Sequence, residues 1–256
     1  MEFHTPENMI NSTIDVAVVG VGGTGSYLLS MLSQMNYLLR CISNNTVSLR
    51  VTSYDSDTVS QFNCGRANYY MMDIGKNKAQ VLTDRINMGW GTNWVARQYK
   101  FNTNECHYDV VFTCVDNIAT RIELGEKWRG KGSTTLWIDG GNSEQQGNVI
   151  LGHLGVPDDE LRLPNWFDLY GDTMRSVKDE PTESCSHEQS ILKQTYGINH
   201  LTALLMSQYL WRLMRHGKLT HHVQMFDLGE GDLSSLDIDP QMWQTFNFNS
   251  DDALTH

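Results

Sequence analysis

The chain has 256 residues, of which 40% are hydrophobic and 19% are charged, and its net charge at pH 7 is −11. This length suits one or two domains with a large core, and the composition excludes a disordered chain. The negative charge disfavours binding to a nucleic-acid backbone, although a local basic pocket could still hold a nucleotide.

The cysteines and the hydrophobic segments indicate a cytoplasmic protein. The five cysteines are odd in number and form no C-x-x-C pair, so neither a disulfide framework nor a four-thiolate zinc site is predicted. Residues 1–13 contain no lysine or arginine ahead of an apolar run, unlike a secretory signal. No run approaches the length of about 18 apolar residues that a membrane-spanning helix needs.

Short apolar runs alternate with amphipathic segments through the first 154 residues. Predicted strands lie at residues 14–19, 47–54, 94–101, 109–114, 134–139 and 148–153, and predicted helices at residues 26–39, 77–88 and 118–129. The first and fourth of these strands are almost wholly apolar, which is typical of parallel strands covered on both faces. The alternation predicts an α/β fold with a Rossmann-like, doubly wound, mostly parallel sheet.

The remaining sequence is less regular. Residues 155–187 contain three prolines and fit no regular period, so an irregular crossover loop is predicted there. A helix is predicted at residues 188–215, with a kink at Gly197, and a last strand at residues 222–228. Residues 229–256 form an acidic tail that is either packed or trailing. The whole chain, 1–256, is predicted to be one domain with a nucleotide-binding core at residues 14–154 and a C-terminal helix and strand at residues 188–228.

A glycine-rich turn follows the first predicted strand and precedes the first predicted helix. Its G-x-G-x-x-G pattern contains Gly20, Gly22, Gly23 and Gly25. Gly20 permits the tight turn, Gly22 lets the backbone approach phosphates, and Gly25 lets the helix pack close to the strand. Free N–H groups at the helix N-terminus would meet the phosphate. We therefore predict a nucleotide site.

Polar side chains after this turn favour ATP over a dinucleotide. The set comprises Asp55, Asp57, Asn63, Arg66, Lys78, Asp116 and Asn117. Asp55 ends the second strand, where an acid commonly binds the ribose hydroxyls. Hydride transfer does not need two cations here, whereas cleavage between the α- and β-phosphates does, because charge grows on pyrophosphate. Arg66 offers a planar fork, Lys78 a point charge, and Asp116 a hard oxygen ligand for Mg²⁺.

On these motifs the sequence resembles the ThiF/MoeB family, whose members include the enzymes that activate ubiquitin and ubiquitin-like proteins. The resembling stretches are VVGVGGTGS, YDSDTVSQFNCGR, GKNKA and CVDN followed by Thr120-Arg121. The resemblance implies ATP and Mg²⁺ as cofactors, with Asp55 on the ribose and Asp116 on the Mg²⁺. It implies that Asn63, Arg66 and Lys78 hold the triphosphate. It also implies a homodimer that adenylates the C-terminal carboxylate of a small β-grasp, ubiquitin-like protein.

Within that family the chain most resembles the ThiF-related proteins of the PRTRC cassettes of bacterial mobile elements. The similarity rests on NxGR, on DxGN at residues 139–142, on PTESCS and on FDLG. It implies a bacterial protein whose partners are a small ubiquitin-like protein and a conjugating-type protein. Three features depart from the family. The C-x-x-C pairs are missing, so zinc is not expected. Ala67 replaces the glutamine after the motif arginine, and no lysine or arginine precedes Arg40. The family's dimers often donate an N-terminal arginine to the partner's ATP.

Cys185 is the candidate nucleophile for a second step. It lies in PTESCSH, near the end of the predicted loop, where the family places its cysteine. Thiolate attack on an acyl-adenylate would give a thioester. A helix N-terminus and His187 favour the thiolate, whereas Glu183 and Glu188 disfavour it. Family members that only adenylate also keep a cysteine here, so both outcomes stay open.

Other functions stay open on the sequence alone. One is activation of a tRNA base, as in the threonylcarbamoyl-adenosine dehydratase relatives, which the net charge of −11 disfavours. Another is a catalytically silent nucleotide-binding scaffold, which the missing N-terminal arginine and Ala67 favour. A dehydrogenase ranks last, because it leaves Asn63, Arg66, Lys78 and Asp116 without a role.

Overall fold

A computed structural model describes residues 1–104, 107–158, 161–176 and 194–248. The helices are α1 (Gly23–Ile42), α2 (Lys78–Trp90), α3 (Ile118–Trp128), α4 (Trp166–Ser176), α5 (Ile198–His216) and α6 (Pro240–Trp243). The strands are β1 (Phe3–His4), β2 (Thr13–Val19), β3 (Ser48–Tyr54), β4 (Val95–Arg97), β5 (Val110–Thr113), β6 (Leu136–Asn142), β7 (Gln146–His153), β8 (Lys218–Leu219), β9 (His221–Asp227) and β10 (Asp232–Asp237). Within these described ranges no helix has the length and apolar character needed to cross a membrane.

Eight of the described strands form one sheet in the order β10-β9-β7-β6-β5-β2-β3-β4. The run from β6 to β4 is parallel, and β7, β9 and β10 extend it with antiparallel pairs. β1 and β8 form a separate two-stranded antiparallel sheet. The prediction of a Rossmann-like, mostly parallel α/β sheet is confirmed.

The side chains of β2 alternate between two hydrophobic clusters. Val16 and Val18 pack in a cluster with residues of α1, α2 and α5, whereas Ala17 and Val19 pack in a cluster with residues of α3 and α4. The burial of all four side chains is typical of a strand covered on both faces. The chain therefore leaves the adjacent strands β2 and β5 toward opposite faces. Doubly wound folds bind their ligands at such a point.

Helix α4 shows that the prediction of an irregular loop over residues 155–187 was wrong for residues 166–176. Asn165 caps this helix, because its Oδ1 accepts the N–H groups of Phe167 at 2.8 Å and Asp168 at 3.1 Å. The ring of Phe167 occupies the space beside Gly125 of α3, where a Cβ would lie 2.1 Å from the ring. The capping asparagine and the aromatic residues after it were the overlooked signal. Residues 177–193 lie outside the described residues.

Helix α5 begins later than predicted. Residues 194–197 are not helical, and α5 starts at Ile198 after Gly197, whose φ is 91°. Gly197 therefore marks the start of the helix rather than a kink within it. The predicted helical residues 188–193 lie outside the described residues.

The acidic tail is packed as far as residue 248. It contains the edge strand β10 and the short helix α6. Trp243 of α6 is buried, and its Nε1 donates a hydrogen bond to His222 Nε2 at 2.8 Å. The strand predicted at residues 94–101 is shorter than expected, because only β4 pairs with the sheet.

Candidate functional site

The glycine-rich turn joins β2 to α1. Gly20 has a φ of 86°, and its N–H donates to the carbonyl oxygen of Tyr54 at the end of β3. A Cβ on Gly25 would lie 2.0 Å from the carbonyl oxygen of Gly20, so the first turn of α1 packs directly on the loop. A Cβ on Gly22 would meet no atom within 4 Å. The backbone at Gly22 is therefore open to a ligand such as a phosphate group.

Asp55 supports the glycine turn from the end of β3. Its Oδ2 accepts the N–H of Val21 at 2.7 Å, and its Oδ1 accepts the N–H of Asp57 at 2.9 Å. Burial raises the pKa of Asp55, and these backbone hydrogen bonds oppose the shift. Each carboxylate oxygen keeps a lone pair that could accept a ribose hydroxyl.

Lys78 is the first residue of α2 and is 5% exposed. Its Nζ lies 2.9 Å from Asp57 Oδ2, so the lysine is held by an ion pair. Asn77 caps the helix and donates from Nδ2 to the carbonyl oxygens of Asp55 and Asp57. The two predicted site residues Asp57 and Lys78 are therefore brought together, with Asp57 as the partner of the lysine.

Asn63 and Arg66 carry buried donor groups. Asn63 is 1% exposed and its Oδ1 accepts the N–H of Ser60 at 2.8 Å, but its Nδ2 has no partner among the described residues. Arg66 Nε is likewise buried without a partner in the described part of the chain. Burial lowers the pKa of Arg66, while the charge of Asp116 acts in the opposite direction. Because unpaired buried donors are costly, these two groups fit an oxygen-rich anion such as a polyphosphate.

Asp116 and Asn117 follow β5 and are exposed. Asn117 caps α3, since its Oδ1 accepts the N–H of Thr120 at 3.1 Å. The described residues contain no group of three or more His, Cys, Asp or Glu side chains that could hold a metal ion. Mg²⁺ commonly binds through one or two carboxylates together with substrate phosphates and water. The single carboxylate of Asp116 fits that kind of ligation.

Sequence reasoning missed a polar cluster beside the glycine turn. Asn142, the last residue of β6, donates from Nδ2 to Thr24 Oγ1 at 3.0 Å and to Thr202 Oγ1 at 3.1 Å. Asn199 lies so close to the turn that a Cβ on Gly23 would be 2.6 Å from its Nδ2. A cavity of about 150 Å³ is lined in part by Arg66, Gln194 and Asn199. The available signal was the interruption of the apolar helix α5 by Asn199 and Thr202.

A buried ion pair joins α3 to β6. Arg121 Nε lies 2.7 Å from Asp139 Oδ1, and the two side chains are 7% and 1% exposed. Arg121 Nη2 also donates to the carbonyl oxygen of Gly140 at 3.1 Å, and Thr113 donates its hydroxyl to the same carboxylate. These contacts fix the end of β6 relative to α3.

A groove of about 540 Å³ begins at this ion pair. Arg121 and Asn142 line it, and Asn142 also contacts Thr24 in the first turn of α1. Asp227 and Asp232, at the turn between β9 and β10, also line it. The lining of the groove therefore includes two carboxylates and an asparagine that contacts the first turn of α1.

The cysteines contribute little within the described residues. Cys185, the predicted nucleophile, lies outside the described residues, as does Cys106. Desolvation raises the pKa of the Cys114 thiol, which disfavours the reactive thiolate.

Comparisons with known proteins agree with this fold. A model described as the ThiF family matches residues 7–242. The ubiquitin-like modifier-activating enzyme 5 of Gallus gallus is 26% identical over 160 residues, which cover 56% of this chain and 36% of that protein. The chain thus spans about a third of the length of this curated relative.

Similar solved structures include PaaA and complexes of E. coli MccB. The crystal structure of PaaA has a TM-score of 0.60 at 15% identity and covers 90% of this chain and 65% of its own. E. coli MccB with ATP has a TM-score of 0.60 at 13% identity, and MccB with MccA-N7isoASN has 0.62 at 14% identity. Both cover 88% of this chain and 64% of the MccB chain, slightly less than two thirds. At these identities the likeness shows a shared fold.

Proposed function

The chain belongs to the ThiF family, and we propose that it is an ATP-dependent adenylating enzyme that activates the C-terminal carboxylate of a small ubiquitin-like protein. The Gallus gallus relative is named for activating a ubiquitin-like modifier, and MccB is found with ATP and with a derivative of MccA. These names support a nucleotide and a small polypeptide as the two substrates.

The observation that carries the proposal is the pair of buried, unpartnered donors on Asn63 and Arg66. Both follow the ribose-binding candidate Asp55 in sequence, and the negative charge of Asp116 opposes the lowering of the Arg66 pKa by burial. Phosphate oxygens would supply the missing acceptors, and each charge-assisted hydrogen bond is worth about 1.5–3 kcal/mol. A site of this kind suits the anionic oxygens of a polyphosphate.

In the proposed reaction a carboxylate oxygen of the substrate attacks the α-phosphorus of ATP. The bond from the α-phosphorus to the bridging oxygen breaks, and its electron pair leaves with pyrophosphate, which yields an acyl-adenylate. No proton has to move, since the attacking carboxylate is ionised at neutral pH. Arg66 and Lys78 would stabilise the charge that grows on the leaving group. Mg²⁺ bound to Asp116 would supply further neutralisation of phosphate charge.

The groove supports a polypeptide tail as the second substrate. An extended chain of a few residues could lie along it, with its terminal carboxylate toward Asn142, which contacts the first turn of α1. Asp227 and Asp232 together with the net charge of −11 favour a partner with basic residues near its C-terminus. We further propose a cytoplasmic homodimer that hands the activated protein to a conjugating-type partner.

Thioester formation at Cys185 is the proposed second step. The thiolate would attack the acyl carbon of the adenylate, the bond between that carbon and the AMP oxygen would break, and AMP would leave. Intact mass measurement should then find a dithiothreitol-sensitive adduct that a Cys185→Ser variant does not form. If the adduct persists in that variant, another group is the acceptor.

Exchange of labelled pyrophosphate into ATP tests the adenylation step. The assay contains Mg²⁺ and a small ubiquitin-like protein that ends in glycine. Asp116→Ala should abolish exchange, whereas Asp84→Ala, which removes an exposed carboxylate from α2, should leave it intact. Undiminished exchange in Asp116→Ala would contradict the mechanism. ATP binding without exchange, whichever partner is supplied, would favour the silent scaffold.

A further inference from the structure

The side-chain amide of Gln194 lies between Arg66 and two asparagines. Arg66 Nη1 donates to Gln194 Oε1 at 3.4 Å, and Asn199 Nδ2 donates to the same oxygen at 3.4 Å. Gln194 Nε2 in turn donates to Asn142 Oδ1 at 3.3 Å. A flipped amide would direct its NH₂ group at two donors and lose all three contacts. The oxygen of Gln194 is therefore held facing Arg66.

The two asparagines are themselves fixed by the fold. Asn142 Nδ2 donates to Thr24 Oγ1 and Thr202 Oγ1, which join the end of β6 to the starts of α1 and α5. Asn199 is 5% exposed, and its Nδ2 also donates to the carbonyl oxygen of Arg66 at 3.1 Å. The partners of Gln194 are thus fixed by β6, α1 and α5, which meet beside the glycine turn.

Arg66 has one side-chain hydrogen-bond partner among the described residues. The contact with Gln194 is the side-chain hydrogen bond that Arg66 makes among the described residues, and its Nε is buried without a partner there. Ala67, the next residue, is 3% exposed in the hydrophobic core and offers no polar group. A half-buried guanidinium that is oriented by a neutral amide keeps its full charge for an anionic ligand.

We propose that Gln194 is a positioning residue for Arg66 in nucleotide binding. Its amide fixes the guanidinium through Nη1 and leaves Nε for a phosphate oxygen. A carboxylate at this position would form an ion pair with Arg66 and compete with the phosphates. The proposal rests on the proposed function and adds to it a residue that is 128 positions from Arg66 in sequence.

Calorimetric titration of the full chain with α,β-methylene-ATP and with AMP tests this role. Gln194→Glu keeps the shape of the side chain but adds a negative charge, and Gln194→Ala removes the amide. We expect Gln194→Glu to lower the affinity for the ATP analogue by about tenfold or more, the scale of one charge-assisted hydrogen bond. Gln194→Ala should lower it less, and the affinity for AMP should stay within about twofold of wild type. Gln98→Glu, an exposed glutamine, is the matched control.

Which of the two variants loses more affinity for the ATP analogue distinguishes a positioning role from a merely structural one. A structural role predicts that Gln194→Glu is the milder change, because it preserves the packing. Equal affinity of Gln194→Glu and wild type for the ATP analogue, or a parallel loss for AMP, would overturn the proposal. If Gln194→Glu does not fold, Gln194→Ala alone tests the proposal. Its affinity should then fall for the ATP analogue and not for AMP. A wild-type chain that binds neither nucleotide would instead refute the ATP site itself.

Discussion

The packing of Gly25 on Gly20 makes the substitution Gly25→Ala a direct test of how α1 packs on the glycine turn. The new Cβ would lie 2.0 Å from the carbonyl oxygen of Gly20 and 3.3 Å from Cys114 Cβ. Since the first of these atoms is backbone, the clash is relieved when α1 moves away from β2. Overpacking costs about 1–3 kcal/mol, and alanine in place of glycine in a helix returns up to about 1 kcal/mol. Taking the upper cost for a backbone clash, we expect a net loss of about 2 kcal/mol.

Thermal unfolding of the nucleotide-free protein measures this loss. For a chain of this size, about 2 kcal/mol corresponds to a decrease of roughly 4–8 °C in Tm. Gly89→Ala in α2 is the matched control, because its Cβ would meet no atom within 4 Å and its φ is not positive. That variant should gain up to about 1 kcal/mol. A Gly25→Ala protein that unfolds at or above the wild-type Tm, beside a stabilised Gly89→Ala, would refute the packing argument.

Two further predictions concern pH and charge. Burial lowers the pKa of His153 to about 3 and that of His222 to about 4, below the value of about 6.5 in the unfolded chain. Their contribution to stability is therefore complete above pH 6.5 and is lost as the pH falls, by up to about 1.4 kcal/mol per pH unit for each histidine. The Tm of His222→Gln should fall less steeply from pH 7 to 5 than the Tm of wild type. His4→Gln changes an exposed histidine and is the control, whose Tm should match wild type at each pH. At the groove, Asp232→Lys should raise the KM for a basic partner protein several-fold at low salt and less at high salt. Asp237→Lys, on the same strand, should leave this KM unchanged. Equal effects of the two substitutions would count against the groove as the binding surface.

Elements with strong local periodicity could be predicted from the sequence. The helix predicted at residues 118–129 is observed at Ile118–Trp128, because a capping asparagine and an apolar face both lie within the segment. Helix α4 and strand β10 could not be predicted in the same way. The packing of α4 depends on Gly125, about forty residues earlier in the chain, and the side chains of β10 are mostly exposed, so its alternation is hidden.

The residues of the candidate site differ in the same way: some carry a signal in the local sequence and others do not. The motif residues lie in three separate stretches, at residues 20–25, 55–78 and 116–117, and their residue types alone indicated phosphate chemistry. Gln194 and Asn199 carry no such local signal, and Asn142 lies in the DxGN stretch but received no role, since the positions of all three depend on the meeting of β6, α1 and α5. A polar residue within an apolar helix, such as Asn199, is a hint of burial with partners, but the identity of those partners needs the fold.

The exposure of the carboxylates distinguishes a permanent ion pair from one that a ligand can replace. Asp139 is 1% exposed, so separating it from Arg121 would leave a buried charge, and that pair must act as a fixed part of the structure. The side chain of Asp57 is 62% exposed, whereas the side chain of Lys78 beside it is 6% exposed. When a phosphate approaches, Asp57 can return to water at little cost while the buried lysine takes a phosphate oxygen in its place. In the proposed nucleotide site, Lys78 would therefore be held in position before ATP binds, as Arg66 would be by the neutral amide of Gln194, and in both cases the charge would remain available to the phosphates.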